Sequence, residues 1–436
     1  MPEIRTVDIG LIGWGTVGGG VVEILRRDAD LFAERCGLRL RLAAIVTRTP
    51  SRAREQGAPE GCSVSDRIES ITGNPAIAAV CHLVGGTGEA RSLMEACLRA
   101  GKPVVTANKA LIAEHGDSLF ALAAQHRSAI AFEAAVAGGI PVIAALRDGL
   151  VANRIDAIHA ILNGTCNFIL TRMEQDGASY ADALAEAQRL GYAEADPTLD
   201  VSGMDTAHKL AILARISANQ RIPLAAIPVD GITGITVEDM ASAATMGFRL
   251  KLIASAIQRR GSLALRVAPT MVATDHPLAS VMQSANGIAF STSAAGPTLL
   301  VGRGAGALPT ASAVLADVVD VVTGRYGLTS RSFSFLSTTT SITPLPQTEE
   351  VSSFYLRFSV EDKSGVLARI ASALSHMGVS IRSLHQAGAR GGSVAGIAVI
   401  THPARRGDVE GAIRLVEGSG VLKASTVLYQ VLLAEW

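Results

Sequence analysis

A short apolar run, IRTVDIGLI (4–12), ends in GWGTVG (13–18) and opens at once onto VVEILRRDADLF, a helical pattern. This strand–glycine loop–helix unit constrains the fold more than any other feature of the chain. Gly13, Gly15 and Gly18 permit a tight turn and let the backbone N–H groups around Thr16 and Val17, with the helix N-terminus behind them, approach a pyrophosphate. GxGxxG alone is a weak signal, and a structural turn is the plain alternative. Its place between strand and helix favours a dinucleotide site.

The alternation then continues. LRLRLAAIVTR (38–48) reads as the second strand, AVCHLVGG (79–86) precedes the helical EARSLMEACLRAG, and PVVTANKA (103–110) precedes LIAEHGDSLFALAAQH. AIAFEAAV (129–136) is the expected last strand. The pattern predicts βαβ units and one Rossmann-type, doubly wound parallel sheet over residues 1–140. An NAD-preferring site usually places an acid at the end of the second strand. Here that strand ends Val46-Thr47-Arg48 and the first acid afterwards is Glu55. Arg48 either meets a 2′-phosphate, which favours NADP with NAD as the alternative, or is an exposed strand-end arginine.

From 141 to 306 the texture changes. Helical stretches (PVIAALRDGLV, ADALAEAQRLG, MDTAHKLAILARISA, VEDMASAATMGFRLKLIASAIQ) mix with β-like runs (RIDAIHAIL, LALRVAPTMV, GIAFSTSAAGPTLLVG). Without strict alternation, an α+β domain with a largely antiparallel sheet is expected. GRGAGALPTASAVLADVVDVV (302–322) is a glycine-rich loop entering a long helix, and the part at 307–325 is expected to complete the first domain. Residues 326–350 are rich in Ser, Thr and Pro and read as a linker. Residues 351–436 spell β-α-β-β-α-β, a ferredoxin-like module.

Balanced charge, 39 Lys+Arg against 39 Asp+Glu, supplies no electrostatic footprint for nucleic acid or an anionic membrane. Five cysteines without a CxxC pair argue for reduced thiols in a cytoplasmic protein. The N-terminal stretch shows no cleavable signal pattern, and the uncharged run at 134–146 is too short to span a bilayer.

Only 18% of residues are charged, yet LGYAEADPTLDVSGMDTAHKL (190–210) gathers Glu194, Asp196, Asp200, Asp205 and Lys209. Asp205 and Lys209 stand at i,i+4. On a surface the pair is worth only about 0.3–0.5 kcal/mol; in a dry crevice Asp205 would instead orient Lys209 and tune its pKa. TANK (106–109) puts Lys109 just past the C-terminal end of a strand, the edge that faces the ligand crevice in open α/β sheets. NGTCNFI (163–169) offers N–H groups and a hydroxyl suited to a carboxylate, or is an ordinary turn.

Taken together, the glycine loop, TANK, FEAAVAGGIP (132–141), NGTCNFI, GYAEADP…DVSGMDTAHK and GRGAGALPTASAV run in the order of one family. The chain resembles homoserine dehydrogenase in its three-domain form with a C-terminal ACT domain. The resemblance implies NAD(P)-dependent interconversion of L-aspartate 4-semialdehyde and L-homoserine, on the route to threonine and methionine. It implies Lys209 as proton donor, Lys109 as second catalytic lysine touching the cofactor, and Glu194 as holder of the substrate ammonium. Asp200 and Asp205 would stand beside it, with Tyr192, Thr165 and Gly164 lining the substrate pocket. FEAAVAGGIP resembles a monovalent-cation site, usually sodium, using the Glu133 carboxylate and the carbonyls of Val136, Gly138 and Ile140; such oxygens suit a hard ion. Gly304 would close against the nicotinamide end. In the ACT-like loop Asp362 and Gly365 persist, although the proline common before the glycine is absent, and threonine is the expected effector. A homodimer or homotetramer is implied. Trp14 departs from the small aliphatic residue common at its position. Two rivals remain at this level: a catalytically silent amino-acid sensor, and a reductase of another small amino-acid aldehyde.

Overall fold

The computed structural model describes residues 4–330, 333–387 and 394–434. Six parallel strands form the first sheet: β1 (Arg5–Ile12), β2 (Leu38–Val46), β3 (Ser63–Ser65), β4 (Ile77–His82), β5 (Val104–Thr106) and β6 (Ile130–Ala131). Their order, β3-β2-β1-β4-β5-β6, is doubly wound with its switch point between β1 and β4. The alternating strands and helices therefore fold as their pattern predicts. The last strand is much shorter than expected. After Ala131 the chain turns into a 3-10 turn, Glu133–Ala135, because the buried Glu133 carboxylate accepts the N–H groups of Ile143 (2.8 Å) and Ala144 (2.7 Å). Satisfying those helix-start donors takes the segment out of the sheet.

The glycines of the first loop have separable reasons. Gly13 has φ +100 and a Cβ there would lie 2.7 Å from the Leu83 carbonyl oxygen. A Cβ on Gly18 would collide with the Gly13 carbonyl, whereas one on Gly15 would meet nothing within 4 Å. Two are required by the fold. The third keeps a surface bare.

The helix Ala307–Val322 packs on the helix Thr16–Arg27, so closely that a Cβ on Gly20 would strike the Ala307 carbonyl. Ala311, Val314, Leu315 and Val318 share a core with Ile9, Leu11 and Val21. A segment some three hundred residues distant thus covers one face of the parallel sheet. The stretch after it is not a bare linker. Arg325–Ser330 is helical, Tyr326 is buried with its hydroxyl donating to the Ile130 carbonyl, and Phe335 and Ile342 are buried as well.

The second sheet is built from β7 (Ile155–Ile161), β8 (Phe248–Arg259), β9 (Ser262–Ala273), β10 (Ala285–Thr292) and β11 (Thr298–Arg303). Here one expectation fails. VEDMASAATMGFRLKLIASAIQ is helical only over Val237–Thr245; Gly247, at φ +82, ends the helix and β8 follows. After Gly247, residues Leu250–Ala256 are buried throughout, in a strand paired with β9 along its length and with β7 over Ala254–Ile257. Such a two-sided strand carries no period-2 pattern to distinguish it from a helix.

The C-terminal module contributes β12 (Val351–Glu361), β13 (Ile381–Ala387), β14 (Val394–Thr401), the short β15 (Ala404–Arg405) and β16 (Val427–Leu432), with helices Val366–His376 and Arg406–Gly418. Its βαββαβ order is as predicted; Gly388 and Ser393, placed at strand limits by the sequence pattern, lie outside the described residues. The module does not stand apart. β16 pairs in parallel with β9 (Gln430 opposite Thr270) and antiparallel with β12. One sheet therefore runs β11-β10-β7-β8-β9-β16-β12-β14-β13. No helix among the described residues is long and apolar enough to cross a membrane.

Candidate active site

The cleft opens where the C-terminal ends of the parallel strands face the helices of the second sheet. On the nucleotide side, Gly15 is the N-cap of the helix Thr16–Arg27, with no capping side chain and no acid in the first turn. Its leading N–H groups and partial positive charge are thus available to an anion. Gly13, Gly15 and Gly18 leave this surface bare, so the residues fit a dinucleotide. Arg48 lies exposed just beyond β2. Trp14, within the glycine loop, donates its indole N–H to Gln56 Oε1 at 2.8 Å.

Asn108 fixes the neighbouring loop. Its amide nitrogen donates to the carbonyls of Val84 (2.9 Å) and Gly86 (2.7 Å), while its oxygen caps the helix Lys109–Gln125 by accepting the Leu111 N–H. The fork leaves Lys109 at the first helical position, pointing across the cleft. Sequence reasoning passed over Asn108, although an Asn immediately before an apolar helical run is an N-cap signal.

Across the cleft, the helix Met204–Ala218 carries Asp205 and Lys209. The i,i+4 pair is not a surface pair: Asp205 and Lys209 are both more than nine-tenths buried. Lys209 Nζ donates to Asp205 Oδ2 at 2.7 Å and to the Leu162 carbonyl at 2.7 Å. Lys109 Nζ sits 2.8 Å from the other oxygen, Oδ1. One buried carboxylate therefore bridges two lysines drawn from different domains. Burial alone would push the Asp205 carboxyl up, but the two ammonium groups overcome it and hold it well below the usual carboxylate range. Burial pulls the Lys109 ammonium down; Asp205, then Asp200 and Glu194, more than offset this and leave it raised.

NGTCNFI begins a helix, Gly164–Asp176, rather than an ordinary turn. Asn163 is its N-cap, accepting the Cys166 N–H at 2.8 Å, and its amide nitrogen donates to Asp200 (2.7 Å) and Asp205 (2.9 Å). It thus ties the two carboxylates together. Burial raises the Asp200 carboxyl, with Asn163 opposing and the Asp205 charge adding. Thr165 donates to the Tyr192 carbonyl at 2.6 Å, and Gly164 lies so near Ser284 that a Cβ would be 2.7 Å from its carbonyl oxygen.

A cavity of about 350 Å³ joins these pieces, lined by Val17, Gly85, Lys109, Glu194, Asp200 and Asp205 among others. Lys209 and Thr165 stand one layer behind its wall, linked to it through Asp205 and Asp200. The Tyr192 ring packs on Phe168 with centroids 4.9 Å apart and is half exposed. Asp196, which the sequence reading left to loop solvation, caps Thr198 N–H at 3.1 Å and also reaches the rim. His208, missed in the sequence, lines the cavity 3.2 Å from Glu114.

Gly304 lies in the loop between β11 and the helix Ala307–Val322. It packs against the Asn286 side chain, and a Cβ on Gly138 would lie 2.6 Å from the Gly304 carbonyl oxygen. The loop carrying it therefore rests on Val136–Ile140, and Gly304 is not among the residues lining the cavity. Glu133, Val136, Gly138 and Ile140 are all buried. Burial pushes the Glu133 carboxyl up to about 7, which fits a carboxylate that gains from a cation beside it. The donor set is hard oxygen throughout, so it suits a monovalent ion.

A bare nucleotide-binding loop facing a buried, lysine-bridging carboxylate is the working cleft of a dinucleotide-dependent oxidoreductase acting on a small polar substrate. Comparison narrows the class. Residues 13–133 match the model for the homoserine dehydrogenase NAD-binding domain, residues 141–319 that for homoserine dehydrogenase, and residues 354–418 that for the ACT domain. The homoserine dehydrogenase of Neisseria gonorrhoeae is 39% identical over 95% of this chain and 96% of its own. The crystal structure of a homoserine dehydrogenase from Thiobacillus denitrificans superposes with TM-score 0.92 at 36% identity, covering 99% of each chain. A hyperthermophilic archaeal homoserine dehydrogenase mutant in complex with NADPH matches 73% of this chain and 98% of its own, with TM-score 0.61 at 27% identity. The chain belongs to the homoserine dehydrogenase family, and is an NAD(P)-dependent oxidoreductase.

Proposed function

We propose that the protein interconverts L-aspartate 4-semialdehyde and L-homoserine on the route to threonine and methionine, with NADP as its preferred nucleotide. The observation that carries the mechanism is the pair of lysines on the two oxygens of Asp205. When bound, the reduced nicotinamide supplies a hydride to the aldehyde carbon. The chain's own groups handle the charge that results. Lys209 Nζ, oriented by Asp205 and the Leu162 carbonyl, holds the proton delivered to the developing alkoxide. Lys109, fully charged beside Asp205, stabilises that alkoxide electrostatically. Glu194 grips the substrate ammonium, with Asp200 completing the polar wall, so that binding becomes orientation of the reacting carbon. Tyr192, Thr165 and Gly164 shape the same wall.

Arg48 supports NADP, since no acid stands between β2 and Glu55, and an archaeal family member has been solved with NADPH. Glu133 with the carbonyls of Val136, Gly138 and Ile140 is the proposed sodium site. Threonine is the proposed effector, held at the loop of Asp362 and Gly365. Gly365, at φ +85, caps the helix Val366–His376 there. A homodimer or homotetramer in the cytoplasm is the proposed working form.

The test is a spectrophotometric assay of homoserine oxidation with NADP and with NAD. Wild type is expected to be active, faster with NADP, and Lys209→Ala to be inactive while still binding nucleotide. Arg48→Ala should narrow the preference. A wild-type protein silent with both nucleotides overturns the reading in favour of an amino-acid sensor.

A further inference from the structure

The proposed mechanism leaves one buried cation without a task. Lys251, on β8, is wholly buried, and among the described residues its ammonium meets only neutral acceptors. Nζ donates to Asn167 Oδ1 at 3.0 Å and to the Val281 carbonyl at 2.9 Å, with Met282 Sδ at 3.4 Å. Glu174, on the helix Gly164–Asp176, is paired instead with Arg249 at 3.3 Å. Burial pulls the Lys251 ammonium down to about 8, and the charge of Glu174 opposes this only in part. A methionine would fill the same space without the cost of hiding a charge. What lysine adds at this point is its donors.

Those donors fasten the loop at 281–285 to the back of the catalytic wall. Asn167, buried as well, joins the same knot, its amide nitrogen donating to the Val281 and Ala285 carbonyls, both at 3.1 Å. Gln283, at φ +57, donates its N–H to Thr171 Oγ1 at 3.1 Å. From this knot two short paths reach the reacting groups. Along the helix, Asn167 N–H donates to the Asn163 carbonyl at 3.1 Å, and Asn163 is the residue that clamps Asp200 to Asp205. Along the loop, Ser284 closes on Gly164, and the Asn286 amide donates to the Ile161 carbonyl at 2.7 Å. Ile161 adjoins Leu162, whose carbonyl accepts from Lys209 Nζ.

We propose that Lys251 is a positioning residue for the reaction: by bracing residues 161–164 from behind, it sets the geometry of the Asp205–Lys209 pair. Lys251 is absent from the cavity wall and acts through Asn167 and the loop. This role rests on the assignment of Asp205 and Lys209 as the reacting pair. The braced segment carries both contacts that aim the proton donor, the Leu162 carbonyl and the Asn163 amide on Asp205. A small drift of that segment therefore moves donor and carboxylate together, and catalysis is steeply sensitive to such displacement.

The experiment compares full-length wild type, Lys251→Met and Asn167→Asp in three assays. These are steady-state homoserine oxidation, nucleotide titration, and competitive acetylation of lysine amines by acetic anhydride read by mass spectrometry. Lys251→Met keeps the side-chain length and removes charge and donors together. Asn167→Asp keeps an acceptor for Lys251 but loses the donors to Val281 and Ala285. It also gives the cation a counter-charge, so it reports even if Lys251→Met folds poorly. Each folded variant should lose kcat by roughly ten- to a hundredfold while nucleotide affinity stays within about threefold of wild type. Lys109 should be acetylated more readily at a given pH, because a displaced Asp205 no longer raises its pKa. Acetylation needs no turnover, so a wild type silent toward homoserine sinks the proposed function while the brace is still read. Three results overturn the inference: either folded variant keeps kcat within about threefold of wild type, nucleotide affinity falls in step with kcat, or Lys109 acetylation is unchanged.

Discussion

Asp205→Asn is the most informative single change. It keeps the side-chain volume and removes one charge that two lysines share at 2.7 and 2.8 Å. Lys209, with a side chain 11% exposed, would be left against a neutral amide and one carbonyl. Breaking one partner of a buried pair costs about 3–5 kcal/mol. Lys109, with a side chain 41% exposed, is screened and adds about 1 kcal/mol at most. In a chain of this size that corresponds to a fall in Tm of roughly 3–8 °C. The proton donor also loses its orientation, so kcat for homoserine oxidation should fall by about 10²–10³, with KM little changed. The sign with pH is fixed by the direction of the shift. Asp205 is depressed in the folded state, so its stabilisation is present above the unfolded value near 3.9 and disappears as pH falls through the lower folded value. The stability gap between wild type and variant should therefore be flat from about pH 5 to 8 and close only in strong acid. A kcat within about threefold of wild type, with an unchanged Tm, would refute the role given to this carboxylate.

Other expectations follow from neighbouring features. Glu194→Gln should raise KM for homoserine by roughly tenfold with a smaller effect on kcat, since it removes ground-state grip on the ammonium; steady-state kinetics decides. Gly15→Ala should fold normally yet bind nucleotide more weakly by titration, because its Cβ meets nothing within 4 Å until a pyrophosphate arrives, while Gly18→Ala should lower Tm by collision with Gly13. Glu133, raised to about 7, stabilises the fold fully below its unfolded value and loses that contribution as pH rises through 7. Sodium should restore thermal stability above pH 7 in wild type but not in Glu133→Gln, when compared with a bulky organic cation at equal ionic strength.

Much of the site was legible because its chemistry is local. Asp205 and Lys209 are one helical turn apart, and the glycine loop has its meaning within six residues. What was not legible is what the chain brings together from afar. That Lys109 would share Asp205, or that Asn163 would clamp Asp200 to Asp205, depends on two domains facing each other. The reading of Phe248–Gln258 as helix failed because a strand with a core buried on both faces shows no alternation. Nor does any local pattern show that Gly304 packs in space against Asn286 and Gly138.

The parallel pairing of β16 with β9 also bears on how such a chain can be cut. β9 carries an unbroken row of buried residues from Leu263 to Ala273, and β16 pairs with its edge at Thr270–Val272. Removing the last eighty or so residues would not unplug a sensor from an enzyme; it would free the β9 edge at Thr270–Val272, leaving N–H and C=O groups there unpaired and ready to add a strand from another chain. A truncated protein that aggregates would thus say nothing about feedback. A point change at Asp362 interrogates regulation while leaving that edge sealed.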